Sequence, residues 1–253
     1  MTIRKIKRVI YTVIFNDYDI LSPIYAKSDC DFICFTDNKN LSARGWMIRY
    51  IPIEFSSEKY INRLIKIQPH LFLSDYDESL YIDGNIIINK NPNTLFDKYL
   101  NHDMAIALPK HPFRNCLYQE ATYLLNSKRF SLSFKEKLRQ QISRYRNSFF
   151  PENIGLTENN LILRKHNYSQ IRDLSIFWWN EFLSGCDRDQ ISLPYTLWVK
   201  SIPFSYIKEG PRFNNYFSIN LHKAALSNFF IINYLRRIRF LSSKFSFFGI
   251  KIF

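Results

Sequence analysis

Three short apolar runs near the start of the chain each stop abruptly at an aspartate or asparagine, and this pattern constrains the fold more than any other feature. Residues 8–15 (RVIYTVIF) end at Asn16-Asp17-Tyr18-Asp19, residues 31–36 (DFICFT) end at Asp37-Asn38, and residues 79–82 (SLYI) run into Asp83-Gly84-Asn85. Runs this rich in β-branched and aromatic residues, without polar alternation, read as strands buried on both faces. Between the second and third lies residues 58–73, where Ile61, Leu64 and Ile65 recur at helical spacing and Pro69 forces a kink or restart. Strands alternating with helices imply an α/β domain with a largely parallel sheet. Ligands of such sheets bind outside the carboxyl ends of the strands. Asn16–Asp19, Asp37-Asn38 and Asp83–Asn85 are therefore expected along one rim, with Asp17 and Asp37 as donor-side candidates.

The same reading extends down the chain. Residues 46–51, 103–108 and 160–164 read as strands, and Ile86 to Ile88 as a continuation of the strand that ends at Asp83. Residues 115–127, 132–146, 169–183 and 189–200 read as helices. The apolar run Val9–Phe15 is too short for a signal peptide. No stretch reaches the roughly 18 apolar residues of a membrane span. Cys30, Cys34, Cys116 and Cys186 lack zinc or CxxC spacing and read as reduced, buried thiols of a cytoplasmic protein. The net charge of +13 favours anionic partners: nucleotide phosphates, anionic lipid or nucleic acid.

Asp83 ends an apolar strand and precedes a glycine, a position where a carboxylate either caps a turn or holds a cation. Mg²⁺ and Mn²⁺ take carboxylate and carbonyl oxygens and complete their shell with substrate phosphates. One or two side-chain oxygens at a strand end then suffice to hold a nucleotide diphosphate. Gly84 would let phosphates approach the backbone, and Asn85 would give a neutral oxygen.

Beyond this motif, an ordered series of blocks carries a resemblance: YTVIFNDYD, DFICFTDN, NRLIKIQPHLFL, YIDGNIII, KHPFRNCLYQEA, GLTENNLILR, WWNEF and RDQIS. Together they resemble the glycosyltransferase-like family known from plant mucilage-related and turgor-related proteins and from bacterial glycan gene clusters. The resemblance covers about residues 8–200. It implies a GT-A-like (Rossmann-like) fold, a mixed and mostly parallel sheet flanked by helices. It also implies that Asp83-Gly84-Asn85 stands where such enzymes carry a metal-binding Asp-x-Asp. Asn85 replaces the second carboxylate, which weakens the case for Mn²⁺ or Mg²⁺.

Other candidates follow the same order. Arg63 and Lys66 share a helix face and would neutralise a donor diphosphate; a solvated basic face is the plainer reading. Lys110, His111 and Arg114 follow a strand, and Glu158 precedes one, so these four are acceptor-side candidates; a packed histidine and a turn glutamate are the alternatives. Arg188-Asp189-Gln190 resembles the Asp-Gln element near the reaction centre of GT-A enzymes. Asp189 would be the catalytic carboxylate, as base or as charge stabiliser, with Gln190 beside it; as an alternative it caps a helix. Of Trp178 and Trp179, one is expected in the core and the other, Trp179, on a sugar ring. His222 is a candidate late metal ligand.

Residues 1–205 are expected to form the catalytic domain and 206–253 a basic, aromatic-rich, helical extension. Its Phe229, Phe230, Ile238 and Phe240 alternate with Arg236, Arg237 and Arg239, a composition suited to an anionic membrane surface. The expected activity is sugar transfer from a nucleotide-sugar donor to a glycan or lipid-linked acceptor in bacterial surface polysaccharide synthesis. The expected place is the cytoplasm, peripheral on the inner face of the plasma membrane. The alternatives are a ceramide-type lipid hydrolase, for which HExxH and GxSxG are both missing, and a non-catalytic basic nucleotide- or nucleic-acid-binding protein. Nucleic acid is not the expected partner, because acids cluster at the strand ends.

Overall fold

A computed structural model describes residues 4–52, 57–212 and 215–223. Its centre is a seven-stranded sheet in the order β3-β2-β1-β4-β7-β6-β8. The strands are β1 (Arg8–Ile14), β2 (Asp31–Thr36), β3 (Met47–Tyr50), β4 (Glu78–Ile82), β6 (Ile106–Pro109), β7 (Leu161–Arg164) and β8 (Ser205–Ile207). All neighbours pair in parallel except β7, which runs antiparallel to both β4 and β6. The α/β class expected of a GT-A-like domain, a mixed and mostly parallel sheet flanked by helices, is present.

The pleat distributes the apolar runs between two faces. Val9, Tyr11 and Val13 point to one side with Ile65 and Ile67 of α1 (Glu58–Ile67), Trp178 of α5 (Ser169–Ser184) and Leu193 of α6 (Asp189–Val199). Ile10, Leu80 and Ile82 point to the other, against Phe96 of α2 (Asn93–Tyr99) and Phe217 of β9 (Phe217–Ile219). Helices α3 (Leu117–Asn126) and α4 (Leu132–Asn147) form an outer layer against α6.

Several expectations change. Ile86–Ile88 is β5, and it does not continue β4. The Ile86 N–H closes a turn on the Asp83 carbonyl (3.0 Å), and the strand leaves the sheet to pair antiparallel with β9. The strand expected over 103–108 starts only at Ile106, because the Asn101 side-chain oxygen accepts the N–H groups of Asp103 and Met104 and holds a turn there (2.9 Å each). β8 and β9 place residues 205–207 and 217–219 in the two sheets. The expected membrane-binding tail, 224–253, lies outside the described residues. Among the described residues no helix is long and apolar enough to cross a membrane.

The topology locates the site. β1, β2 and β3 step one way across the sheet, and β4 then lies on the other side of β1. The β1/β4 gap is thus the point where strand order reverses, the place where open α/β sheets bind ligands. Because β7 is reversed, the residues entering it, Glu158–Asn160, lie on the same edge as the residues leaving β1, β4 and β6. The Asp83 N–H donates to the Asn160 carbonyl across that edge (2.9 Å).

Candidate active site

A cleft of about 760 Å³ opens along this edge. Its lining joins residues far apart in sequence: Asp19 after β1, Arg63 and Lys66 on α1, Asp83–Asn85 after β4, His111 and Arg114 after β6, Glu158 before β7, Arg188–Gln190 at the start of α6, and His222 after β9. At its centre Lys66 is 2% exposed. Its ammonium lies 2.7 Å from Asp189 and 3.5 Å from Asp83, over the Tyr81 ring at 4.8 Å. The Tyr81 hydroxyl donates to the same Asp83 oxygen (2.8 Å).

The end of α1 is fixed from beneath. Arg164, on β7, is 1% exposed. Its guanidinium donates to the Tyr11 hydroxyl (2.7 Å), to the Lys66 carbonyl and to the Ile67 carbonyl (3.3 Å). The carbonyls at a helix C-terminus lack partners within the helix and carry partial negative charge. A buried guanidinium satisfies both, which explains how an arginine is held in an apolar layer. It also sets where the Lys66 side chain starts.

Asp189 is the first residue of α6, with Arg188 at the N-cap position, and its carboxylate pairs with Lys66. The helix-cap alternative therefore gives way to an ion-pair role. Burial would raise its carboxyl pKa, but Lys66, Arg63 and Arg188 outweigh that and hold it below the usual carboxylate range. The turn that delivers it is fixed by Gln141 of α4, whose side-chain oxygen accepts the Cys186 N–H (3.0 Å). A Cβ on Gly185 would come within 2.3 Å of the Gln141 amide, so a larger residue there would push that amide from the turn. Gln190 is locked in turn, its amide donating to the Thr157 carbonyl (2.9 Å).

Other sequence candidates divide. His111 lines the cleft, and its Nδ1 accepts the N–H groups of Phe113 (3.2 Å) and Arg114 (2.9 Å). Burial first, then Arg114, Arg212 and Arg188, push its pKa down to about 4, so it is neutral at pH 7. Arg114 pairs with buried Glu120, and Glu158 accepts from Arg212 (2.7 Å). Asp17, Asp37, Lys110 and Trp179 lie outside the lining. Asp37 braces the loop after β1 by accepting the Asn16 N–H on both oxygens (3.0 and 3.1 Å), and Asp17 accepts from the Asn38 amide (2.9 Å). Lys110 reaches over the Tyr206 ring, 6.0 Å away. Trp179 stacks on Phe182 against the core, since helical spacing turns it away from the strand edge, while Trp178 is the interior one, its indole N–H on Ser192 (3.0 Å).

The acid that enters the site from the end of β1 is Asp19, which sequence reading placed on the rim but did not single out. Its carboxylate lies 2.7 Å from His222 Nδ1. A Cβ on Gly84 would come 2.9 Å from that carboxylate and 2.8 Å from Ile14. Gly84 thus leaves room for Asp19 and Ile14 to pack against the turn. Arg164 was also missed: an arginine closing an apolar strand gives a signal only in its burial.

The donor set does not assemble a divalent-cation centre. Asp83 shares one oxygen with Tyr81 and Lys66, the Asn85 amide donates to the Asn220 carbonyl (3.0 Å), and His222 faces Asp19. The ammonium 3.5 Å from Asp83 would repel a cation bound there. Among the described residues no three His, Cys, Asp or Glu side chains gather to hold a metal.

Residues 1–205 match the family model described as TOD1/MUCI70, glycosyltransferase-like domain. The chain belongs to that family. No curated protein matches it significantly. Among solved structures it is similar to the apo WbbM bifunctional glycosyltransferase (TM-score 0.49, 12% identity, 83% of this chain and 40% of that one). It is also similar to GlyE of Streptococcus pneumoniae TIGR4 (0.45, 10%, 81% and 46%) and to apo mouse xyloside xylosyltransferase 1 (0.46, 8%, 81% and 86%). The chain spans less than half the length of the first two. In this glycosyltransferase-like domain Lys66, Asp83 and Asp189 lie at the centre of the cleft.

Proposed function

We propose that this domain transfers a hexosyl unit from a nucleotide-sugar donor to a glycan or lipid-linked acceptor, in the synthesis of a bacterial surface polysaccharide at the inner membrane face. One observation carries the reading: the Asp83–Lys66–Asp189 chain of contacts at the β1/β4 switch point of a GT-A-like sheet. The nucleotide would lie over that gap, near Asp19 and Gly84. Lys66 and Arg63 would face the diphosphate and take up the charge that grows on it as the sugar–phosphate bond breaks. Asp189 is a poor proton acceptor, because its carboxyl is held well below neutral. Its role is to keep the cations aimed and to face the positive charge developing on the sugar, with Gln190 beside it.

The test is a nucleoside diphosphate thermal-shift series with and without Mn²⁺, followed by a nucleotide-sugar hydrolysis screen. A stabilising nucleotide and a hydrolysed donor are expected. Asp83→Ala should lower hydrolysis about 100-fold or more, the scale of losing one preorganised electrostatic contact. Unchanged activity in that variant, or no nucleotide that shifts the melting temperature, defeats the proposal. A shift seen only with Mn²⁺ would restore the metal-assisted reading of Asp83.

A further inference from the structure

We propose that the end of the cleft around His111 is an acceptor subsite for a sugar carrying a negative charge, a carboxylate or a phosphate. The inference rests on the transferase reading, because it assigns the part of the cleft that the donor leaves free.

The first argument is position. The donor site lies at β1/β4, and β6 is two strands further along the sheet, roughly 10 Å away at ordinary strand spacing. The second is charge. Arg114, Arg188 and Arg212 act on His111 at this end, Arg129 lines the same cleft, and Glu120 and Glu158 are its carboxylates. Arg114 is matched by Glu120 and Arg212 by Glu158. Among the described residues the Arg129 guanidinium has no partner, and the buried Arg188 Nε has none either. Three of these arginines bear on one imidazole, that of His111, which stays neutral and so adds no charge of its own. Arginine forks suit planar carboxylates and phosphates, which they grip through two hydrogen bonds.

The third argument is shape. Phe113 is 80% exposed and Tyr123 55% exposed, and both line the same end. The Arg114 guanidinium covers the Tyr123 ring at 4.4 Å, leaving the Phe113 ring open. An exposed aromatic beside arginines can carry the apolar face of a sugar ring while the arginines take its charge.

The experiment measures binding to the full chain, with UDP or GDP present, of cellobiose, cellobiouronic acid and cellobiose 6-phosphate, and of the matching galacto-series. Within each series the members differ only in the group at C6. Charged members should bind roughly tenfold or more tightly than the neutral parent, and rising salt should erase the difference. Arg129→Gln and Arg212→Gln should each shrink that preference while leaving nucleoside diphosphate affinity unchanged. Phe113→Ala should weaken charged and neutral members alike. The carboxylate and phosphate arms show which anion is preferred. Equal binding of charged and neutral members, or no sugar binding while the nucleotide binds, overturns the subsite. So does a loss of nucleotide affinity in Arg129→Gln or Arg212→Gln, which would give these arginines to the donor. If charged sugars bind selectively but no nucleotide does, the subsite stands and the transferase reading fails.

Discussion

Replacing Lys66 with methionine removes a buried ammonium while keeping most of its stem. Asp189, 5% exposed, then loses its nearest cation, 2.7 Å away, and keeps Arg63 and Arg188. Removing one member of a buried pair costs about 3–5 kcal/mol, because the remaining charge is left poorly compensated. With about 2 cal/mol/K of unfolding entropy per residue, that cost lowers the melting temperature of a chain this size by about 6–9 °C. Asp189→Asn leaves Lys66 with Asp83 alone, at 3.5 Å, and should cost less. In the double variant both charges are gone, so the penalty should fall well below the sum of the single ones.

The pH dependence provides a second reading of the same contact. The folded carboxyl of Asp189 is depressed, so it contributes stability above the unfolded value of about 3.9, and that contribution is lost as pH falls through the lower folded value. In Lys66→Met, burial regains weight against the remaining arginines, so stability should start to fall at higher pH. Differential scanning calorimetry of the wild type and three variants from pH 3 to 8 checks both statements. Additive single-variant penalties, or acid limbs that superimpose, would refute the Lys66–Asp189 pairing and the cationic centre built on it.

Three further outcomes are expected. Gly84→Ala should cost about 1–3 kcal/mol, the range for overpacking, since its Cβ would meet Ile14 and Asp19 below 3 Å; an unchanged melting temperature would mean that the β1 loop does not pack there. His111 and His166, both with pKa values pushed down to about 4 by burial first, should stay neutral in NMR titrations from pH 8 to 5.5. Native protein thus refuses protons that unfolded histidines accept below about 6.5, so stability should decline from there towards pH 4, and a midpoint above 6 for either imidazole would contradict the burial. Arg164→Met should cost about 3 kcal/mol or more, from three lost hydrogen bonds of a charged donor, and should also weaken nucleoside diphosphate binding by freeing the end of α1; lost stability with unchanged nucleotide affinity would reduce Arg164 to a structural role.

The strands were legible because they are buried on both faces and so are apolar without interruption. Their ends were legible because a parallel sheet puts its strand ends on one edge. That logic put Asp83 in the cleft, but it also promoted Asp17 and Asp37 over Asp19. All three acids follow strands, and only the left-handed turn at Asn16 (φ 53°) and Asp17 (φ 47°) decides which one swings inward. Side-chain period on a helix failed differently with the two tryptophans, because the pair shows that one must leave the core but not which surface it meets. β9, and the departure of β5 from β4, were opaque for another reason: both strands are short and take their hydrogen bonds from residues more than 100 positions away, as Ile88 does from Phe217. Arg164 is the limiting case. Its sequence context is an apolar strand, where a charge looks like an error, and only the fold supplies the helix end that makes it favourable. The residues that build the cationic centre thus fall into two kinds. Those that meet the cleft, Lys66, Asp83 and Asp189, are polar residues at element ends and can be read from the chain. Those that aim them, Arg164, Tyr11 and Gln141, face other elements rather than the cleft and become visible only when the end of α1 is seen resting on the strand that Arg164 closes.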